Sequence, residues 1–141
     1  MTGASAQRPH APPTAADVMR PALSTVKPDD HVAAAAYLMK HAGATALVVV
    51  DGEQTRRPVG LITEADIVRA VADGKDLNHV RINDLMTAHP TVISATTPIR
   101  DAATSMMTGH FRHLPVVDDA GLVGMVDIGD VAGALLDPPA G

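Results

Sequence analysis

The sequence predicts an α/β fold of the mixed α+β type, built from two tandem copies of one small unit. Short apolar stretches typical of strands alternate with amphipathic stretches typical of helices. The same order of features then occurs a second time along the chain. With 141 residues, the chain is long enough for one ordinary domain or for two small units that share a core.

The composition is that of a soluble globular protein. Hydrophobic residues make up 46% of the chain, yet Tyr37 and Phe111 are the only aromatic residues, so Val, Leu, Ile, Ala and Met must form the core. The scarcity of aromatic residues and the net charge of −5 weigh against nucleic-acid binding. No apolar run approaches the ~20 residues of a membrane-spanning helix. There is no signal-like segment either, so we expect a cytoplasmic protein.

The first copy is predicted to occupy residues 15–74. Residues 1–14 precede it and are expected to form a disordered N-terminal tail, because they lack apolar periodicity. The copy opens with a short helical turn over residues 16–19, which Pro21 stops. Residues 23–26 then read as a brief strand. The pattern therefore predicts that the folded part begins close to residue 15.

The middle of the first copy is predicted to be a helix followed by a buried strand. The apolar spacing indicates a helix over residues 32–42. We expect Asp29 or Asp30 to cap its start and Gly43 to end it. The uninterrupted apolar run over residues 46–50 is typical of a strand that is covered on both faces.

The end of the first copy is the stretch that matters most for function. A polar turn leads into a strand over residues 58–62, and a helix is predicted to start at Thr63 and end near Gly74. A strand that passes straight into a helix is expected to leave backbone N–H groups unpaired. The helix dipole would favour an anion there, and phosphate is the obvious candidate. Residues 75–81 read as a polar linker.

The second copy is predicted over residues 82–136, followed by a short C-terminal tail at 137–141. The following correspondences define it: Asp17-Val18-Met19 with Asp84-Leu85-Met86, Thr25-Val26 with Thr91-Val92, Met39 with Met106, residues 47–51 with residues 114–118, Gly60 with Gly124, and Asp66 with Asp130. Its first helix is expected to have Thr97 as cap and Pro98 as first residue. One copy alone has too little core to be stable, so we expect the two to share one.

These features resemble the CBS-domain pair, also called the Bateman module. The resemblance covers roughly residues 15–136. It rests on the apolar-Met openings, on Arg112-His113-Leu114-Pro115-Val116-Val117-Asp118, and on the Gly60-Leu61-Ile62-Thr63-Glu64-Ala65-Asp66 signature. It implies two tandem βαββα repeats, packed sheet to sheet with pseudo-two-fold symmetry, in a stand-alone module.

The resemblance also implies an adenosine-containing ligand such as AMP, ADP or ATP, with no required cofactor. Thr63 would contact phosphate and Asp66 the ribose hydroxyls, which suits a hydroxyl at a helix start and a carboxylate facing a cis-diol. Arg112 and His113 of the second repeat would face the phosphates. The adenine side of this first site would be lined by Thr25, Val26, Thr45 and Ala46.

A second, weaker site is expected from the other repeat. Its residues would be Thr91, Val92, Asp127 and Asp130. Asp127 stands where the pattern calls for Thr or Ser, so a carboxylate would meet the phosphate, and like charges at contact distance repel. Thr45 and Ala46, the expected partners from the first repeat, supply no cation. We therefore expect this site to be empty or to take a neutral adenosine moiety.

Structural interpretations compete with these functional ones. Residues 63–66 (the first junction) and 127–130 (the second junction) would each serve as a helix cap. Arg112 and His113 would equally suit a polar strand start. His110 and His113 have a spacing seen in metal ligands, but no third ligand is evident, so no metal site is expected. The Met residues read as core filler.

The function expected is that of a regulatory module rather than an enzyme, because no catalytic motif is evident. It would bind an adenine nucleotide and act on a separate, unknown effector protein. The alternative is a ligand-free structural or dimerisation module. The resemblance implies a homodimer, for which the helices at 32–42 and 98–110 are plausible faces. No nucleic-acid or membrane partner is expected.

Overall fold

The structure is a computed structural model that describes residues 12–22 and 24–136. Over these residues it is a mixed α+β fold with two four-stranded sheets. The chain divides into two compact units, each described here by itself. The first unit contains the described parts of 1–21, 92–118 and 123–141, and the second contains those of 22–91 and 119–122. Most of the predicted tails, residues 1–11 and 137–141, and Leu23 of the first predicted strand lie outside the described residues.

The helices and strands follow the predicted order closely. The helices are α1 (Ala15–Val18), α2 (Val32–Ala42), α3 (Glu64–Ala72), α4 (Ile82–Leu85), α5 (Ile99–Gly109) and α6 (Ile128–Leu136). The strands are β1 (Arg20–Pro21), β2 (Thr25–Val26), β3 (Ala46–Val50), β4 (Pro58–Thr63), β5 (Thr87–Ala88), β6 (Ile93–Ser94), β7 (His113–Asp118) and β8 (Gly121–Asp127).

The sheet of the second unit has the strand order β2-β3-β4-β5. Strand β2 runs parallel to β3, and Thr25 lies opposite Val48. Strands β3 and β4 form an antiparallel hairpin in which Ala46 lies opposite Thr63. All five residues of β3 are buried, as predicted from its uninterrupted apolar run.

The sheet of the first unit has the order β1-β8-β7-β6. Strand β6 runs parallel to β7, with Ile93 opposite Val116. Strand β1 pairs antiparallel with β8, with Pro21 opposite Gly124.

The opening segments of the two copies exchange sheets. Strand β1 stands at the start of the first copy but extends the sheet of the second copy through β8. Strand β5 stands at the start of the second copy but extends the sheet of the first through β4. The sequence pattern did not predict this exchange. The exchange brings together, at the edges of the sheets, strands that are far apart in the sequence.

Each unit has an aliphatic core that includes a methionine, Met106 or Met39, as predicted, whereas Met107, also expected to be core filler, is exposed. The first unit buries Ala15, Ile93, Ile99, Ala102, Met106, Leu114, Val116, Val126 and Val131. The second buries Val26, Val32, Ala35, Met39, Leu47, Val49, Ile62 and Ile82. These cores hold the strand ends in place at the candidate sites.

Three predicted helix and tail boundaries were wrong. His31, not Asp29 or Asp30, is the N-cap of α2, because the Asp30 carboxylate accepts a hydrogen bond from the Lys27 N–H at 2.9 Å. Pro98 is the N-cap of α5, so that helix begins at Ile99. Thr14 was assigned to the tail but pairs with Pro98 as an isolated bridge and belongs to the folded part. Gly43 ends α2 with φ 65°, as predicted.

The strand register also corrects one repeat correspondence. Val26 lies opposite Val49 and Ile93 opposite Val116, and Val49 and Val116 are 67 residues apart, as are Met39 and Met106. The counterparts of Thr25 and Val26 are therefore Val92 and Ile93, not Thr91 and Val92. Extending the register places Val92 opposite Pro115, which has no N–H to donate, so the ladder starts one residue later.

Candidate functional site

The first junction is a closed capping box. Strand β4 ends at Thr63 and α3 begins at Glu64. The Thr63 N–H donates to Asp66 Oδ2 at 2.8 Å, and the Asp66 N–H donates to Thr63 Oγ1 at 3.3 Å. The Thr63 hydroxyl also donates to Asp66 Oδ2 at 3.1 Å. The two side chains thus cap the helix reciprocally, as the structural interpretation predicted.

The backbone around this junction is better satisfied than the sequence suggested. The Glu64 N–H donates to the Thr45 carbonyl at 2.9 Å, so Thr63, Glu64 and Asp66 all have acceptors for their N–H groups. The expectation that these N–H groups are left unpaired was wrong for all three. The cap and the neighbouring strand end supply the acceptors that a bare helix start would lack.

The Asp66 carboxylate has one further partner, which the sequence reasoning missed. Arg69 Nη1 donates to Asp66 Oδ1 at 3.3 Å from the next turn of α3. The Asp66 side chain is 13% exposed and that of Arg69 is 68% exposed. Spacing alone could have suggested this pair, since residues three apart on a helix are neighbours.

The first junction can still offer acceptors to a ligand, because a hydroxyl hydrogen can rotate. A carboxylate has about four lone-pair sites, and donors fill two on Asp66 Oδ2 and one on Oδ1. If the Thr63 hydroxyl turned its hydrogen to a phosphate oxygen, Oδ2 would regain one site. Each carboxylate oxygen would then have one site free, which matches the two donors of a cis-diol.

The other first-site residues of the second unit lie on adjacent strands. Ala46 lies opposite Thr63 in the β3–β4 ladder, and β2 carries Thr25 and Val26 on the far side of β3. Val26 is 2% exposed and Ala46 is 4% exposed. Their side chains are therefore core residues, so only their backbone groups are suited to contact an adenine ring.

Arg112 and His113 lie beside the second junction within the first unit. The Arg112 carbonyl accepts a hydrogen bond from the Ile128 N–H at 2.9 Å, as Thr45 does from Glu64. Burial lowers the pKa of His113; the Asp127 charge opposes this and the Arg112 charge adds to it. Their assignment to the first site stays a prediction.

The second junction has the same reciprocal cap in acidic form. The Asp130 N–H donates to Asp127 Oδ1 at 2.8 Å, and the Asp127 N–H donates to Asp130 Oδ2 at 3.4 Å. Asp127 thus performs the capping role of Thr63 with a second negative charge. Its carboxylate has no hydrogen to give to a phosphate.

A cation accompanies this acidic pair, and its presence corrects the sequence analysis. Arg20 on β1 donates from Nε to Asp130 Oδ2 at 3.4 Å and from Nη2 to Asp130 Oδ1 at 3.3 Å. The hydrogen bond to Asp130 raises the pKa of Arg20, and the charges of Asp130 and Asp127 raise it further. The expectation that no cation compensates the second site was therefore wrong. Arg20 escaped the sequence analysis because β1 joins the other copy's sheet.

Two further features bear on the function. Within residues 12–22 and 24–136, no group of three or more His, Asp or Glu side chains is arranged so that it could hold a metal ion. No helix in the same ranges is long and apolar enough to cross a membrane.

The repeated strand-to-helix junction, the exchanged opening strands and the tandem α+β units define the class of protein. The sequence model of the CBS domain matches residues 15–73 and 82–137. This chain belongs to the CBS-domain family.

Two curated relatives match most of this chain. A 17.7 kDa protein of Acidianus ambivalens is 41% identical over 113 residues, which cover 79% of this chain and 66% of that protein. The mitochondrial CBS domain-containing protein CBSX3 of Arabidopsis thaliana is 35% identical to this chain. The alignment covers 77% of this chain and 54% of that protein. This chain spans 54% to 66% of the length of the first three curated relatives.

A solved structure of the same family contains a nucleotide. The crystal structure of Arabidopsis CBSX2 in complex with AMP is similar to this chain with a TM-score of 0.73 and 34% identity. The similarity covers 88% of this chain and 96% of that one.

Proposed function

We propose that this chain is a regulatory module that binds an adenine nucleotide, AMP, ADP or ATP, at Thr63 and Asp66 and acts on a separate protein. The observation that carries the proposal is the hydrogen bond from the Thr63 hydroxyl to Asp66 Oδ2 at 3.1 Å. The hydroxyl hydrogen can rotate and donate to a ligand instead. The AMP complex of the related CBSX2 supports the choice of nucleotide. No catalytic step belongs to this proposal.

In the proposed complex the Thr63 hydroxyl donates a hydrogen bond to a phosphate oxygen, and the ribose hydroxyls donate to the Asp66 carboxylate. The adenine contacts backbone groups of Thr25, Val26, Thr45 and Ala46, since two of these side chains are buried in the core.

Such binding would couple the nucleotide to the local structure. The hydrogen bond from the Thr63 hydroxyl to Asp66 exists only in the free junction, so free and bound forms differ in a defined contact. A ligand shifts an equilibrium only through its different affinity for two states. The change of partner of the Thr63 hydroxyl is the structural difference to which a partner protein could respond.

The test is calorimetric titration of the whole chain with AMP, ADP and ATP. We expect one nucleotide per chain, and we expect Asp66→Asn to weaken it about tenfold or more, because a hydrogen bond to a charged group is worth about 1.5–3 kcal/mol. Asp84→Asn is the matched control, because Asp84 occupies the same capping position at α4 and accepts from the Arg81 N–H at 3.3 Å. We expect it to bind as the unmodified chain does.

Two results would contradict the proposal. One is that none of the three nucleotides binds to the unmodified chain. The other is that Asp66→Asn and Asp84→Asn bind equally well. A thermal-shift assay gives an independent measure, since a nucleotide at about 100 times its Kd stabilises the folded state by about 2.7 kcal/mol.

A second candidate function is that of a ligand-free structural or dimerisation module. Exposed apolar side chains favour it: Tyr37 on α2 is 62% exposed and Met107 on α5 is 76% exposed. Each of these helices was predicted to be a plausible face for a homodimer, and we propose that each serves as one with or without nucleotide. Sedimentation should then show dimers that Met107→Glu dissociates. Tyr37 is the only tyrosine and the chain has no tryptophan, so tyrosine fluorescence reports on the exposed face of α2.

A further inference from the structure

Arg20 engages both oxygens of the Asp130 carboxylate. Its Nε and Nη2 atoms lie 3.4 and 3.3 Å from Asp130 Oδ2 and Oδ1. Asp130 is the residue that corresponds to Asp66, the ribose-binding residue of the proposed function. The guanidinium therefore occupies the edge of the carboxylate that a cis-diol would need.

The backbone of β1 places this guanidinium. Arg20 lies opposite Met125 and Pro21 opposite Gly124 in the β1–β8 ladder, and Met125 is two residues before the second junction. In the other sheet, Thr87 lies opposite Leu61 and Ala88 opposite Gly60. Thr87 is thus the counterpart of Arg20, and its side chain is short and uncharged. The arginine is a property of one repeat only.

The two carboxylates differ in how readily they can be released. On Asp66 one of the three donors is the Thr63 hydroxyl, whose hydrogen can rotate away. On Asp130 the donors are the Asp127 N–H and the two Arg20 groups. Asp127 has no hydrogen to rotate, so only one lone-pair site, on Oδ1, is open while Arg20 stays in place.

We propose that Arg20 closes the second junction to adenine nucleosides by holding the carboxylate that would bind the ribose. The inference rests on the proposed function, because it assigns the ribose to the aspartate of the signature. Arg20 is then a specificity-determining residue, and Asp127 adds a second barrier that acts only on ligands with phosphate, through like-charge repulsion. The two barriers can be separated with a neutral and a charged ligand.

The experiment uses adenosine and AMP in an Asp66→Asn background, so that the first site contributes little. Arg20→Met keeps an unbranched apolar stem, removes the guanidinium group and leaves the backbone pairing of β1 possible. We expect it to tighten adenosine binding about three- to fivefold. An exposed arginine–carboxylate ion pair is weak, so it lowers the fraction of chains with an available Asp130 carboxylate by only about that factor. AMP binding should not tighten, because Asp127 remains and a cation has been removed. Arg69→Met in the same background is the control and should leave adenosine binding unchanged.

Adenosine affinity that is unchanged or weaker in the Arg20→Met variant would overturn the inference, as would equal gains from Arg20→Met and Arg69→Met. A melting temperature close to that of the Asp66→Asn parent would show that the variant is folded. The proposed function has its own readout, which is the loss of AMP from the chain on Asp66→Asn. A chain that binds no AMP but gains adenosine affinity on Arg20→Met would therefore refute the proposed function alone.

Discussion

The carbonyl oxygen of Arg20 lies so close to Gly124 that a Cβ atom added to this glycine would stand 2.8 Å from it. Met19 Sδ would lie at 2.7 Å from the same Cβ. Because the carbonyl is backbone in the β1–β8 ladder, it cannot move away without breaking the pairing. We expect Gly124→Ala to destabilise the protein by about 1–3 kcal/mol, the usual cost of overpacking. Chemical denaturation measures it.

Gly60 provides the matched comparison in the other sheet. A Cβ on Gly60 would collide with the side chain of Met86 but not with backbone. A methionine side chain adapts easily, so we expect Gly60→Ala to cost less than Gly124→Ala. Adding Met86→Ala should relieve the collision at Gly60, whereas Met19→Ala should not rescue Gly124→Ala. Equal rescue in both pairs would show that the Arg20 carbonyl is not the obstacle.

The cap at Thr63 should contribute to stability without any ligand. Its hydroxyl oxygen accepts the Asp66 N–H and its hydrogen goes to the Asp66 carboxylate. We expect Thr63→Ala to lower the free energy of unfolding by about 0.5–2 kcal/mol, and Thr63→Ser to retain most of it. Urea denaturation in nucleotide-free buffer is the measurement. If Thr63→Ala were as stable as the original chain, the cap would have no structural role.

His113 should make stability depend on pH. Burial lowers its pKa below the ordinary 6.5, so the unfolded chain binds this proton more tightly than the folded one. Its contribution is complete above pH 6.5 and is lost as the pH falls through the lower pKa of the folded state. We expect the melting temperature to fall less in His113→Asn than in the original chain between about pH 7.5 and about pH 5. The other histidines are common to both proteins, so parallel curves would contradict the assignment.

The loop between β3 and β4 is held by Asp51. The Thr55 hydroxyl donates to its carboxylate, and the Arg57 N–H donates at 3.2 Å. The Thr55 hydrogen bond is the main cause of the lowered pKa of Asp51, while burial opposes it. Thr55→Val should raise this pKa towards its ordinary value, as read from the carboxyl carbon shift in an NMR titration. Thr104→Val, on helix α5 and away from this loop, should leave it unchanged.

The same titration has a consequence for stability. A lowered carboxyl pKa stabilises the folded state above the unfolded value and loses that effect as the pH falls through the folded value. Thr55→Val should therefore reduce stability at neutral pH and have less effect in acid. An effect of the same size at both pH values would point to packing instead.

Local patterns were sufficient to predict most elements of this fold. The run at residues 46–50 predicted the buried strand β3, and Gly43 predicted the end of α2. The Thr63-x-x-Asp66 spacing predicted the capping box that the structure contains. Each of these features depends on residues that are close together in the sequence.

The failures have the opposite character. Arg20 and Asp130 are 110 residues apart, and no periodicity within either copy connects them. Thr91 was matched to Thr25 because the residue types are the same. The β6–β7 pairing instead follows hydrogen-bonding geometry, and its register places Val92 opposite Pro115. The competition between His31 and Asp30 for the cap was decided by a turn that gave Asp30 another donor.

The exchange of opening strands sets an order for synthesis. All strands of the second sheet lie between Thr25 and Ala88, so they can pair before the rest of the chain exists. Strand β1 is made earlier still, yet its partner β8 begins only at Gly121. Domains tend to fold as units while the chain grows. A ribosome that stalls soon after Ala88 would therefore hold one complete sheet and one unpaired strand, β1, whose edge is open to any other extended chain nearby.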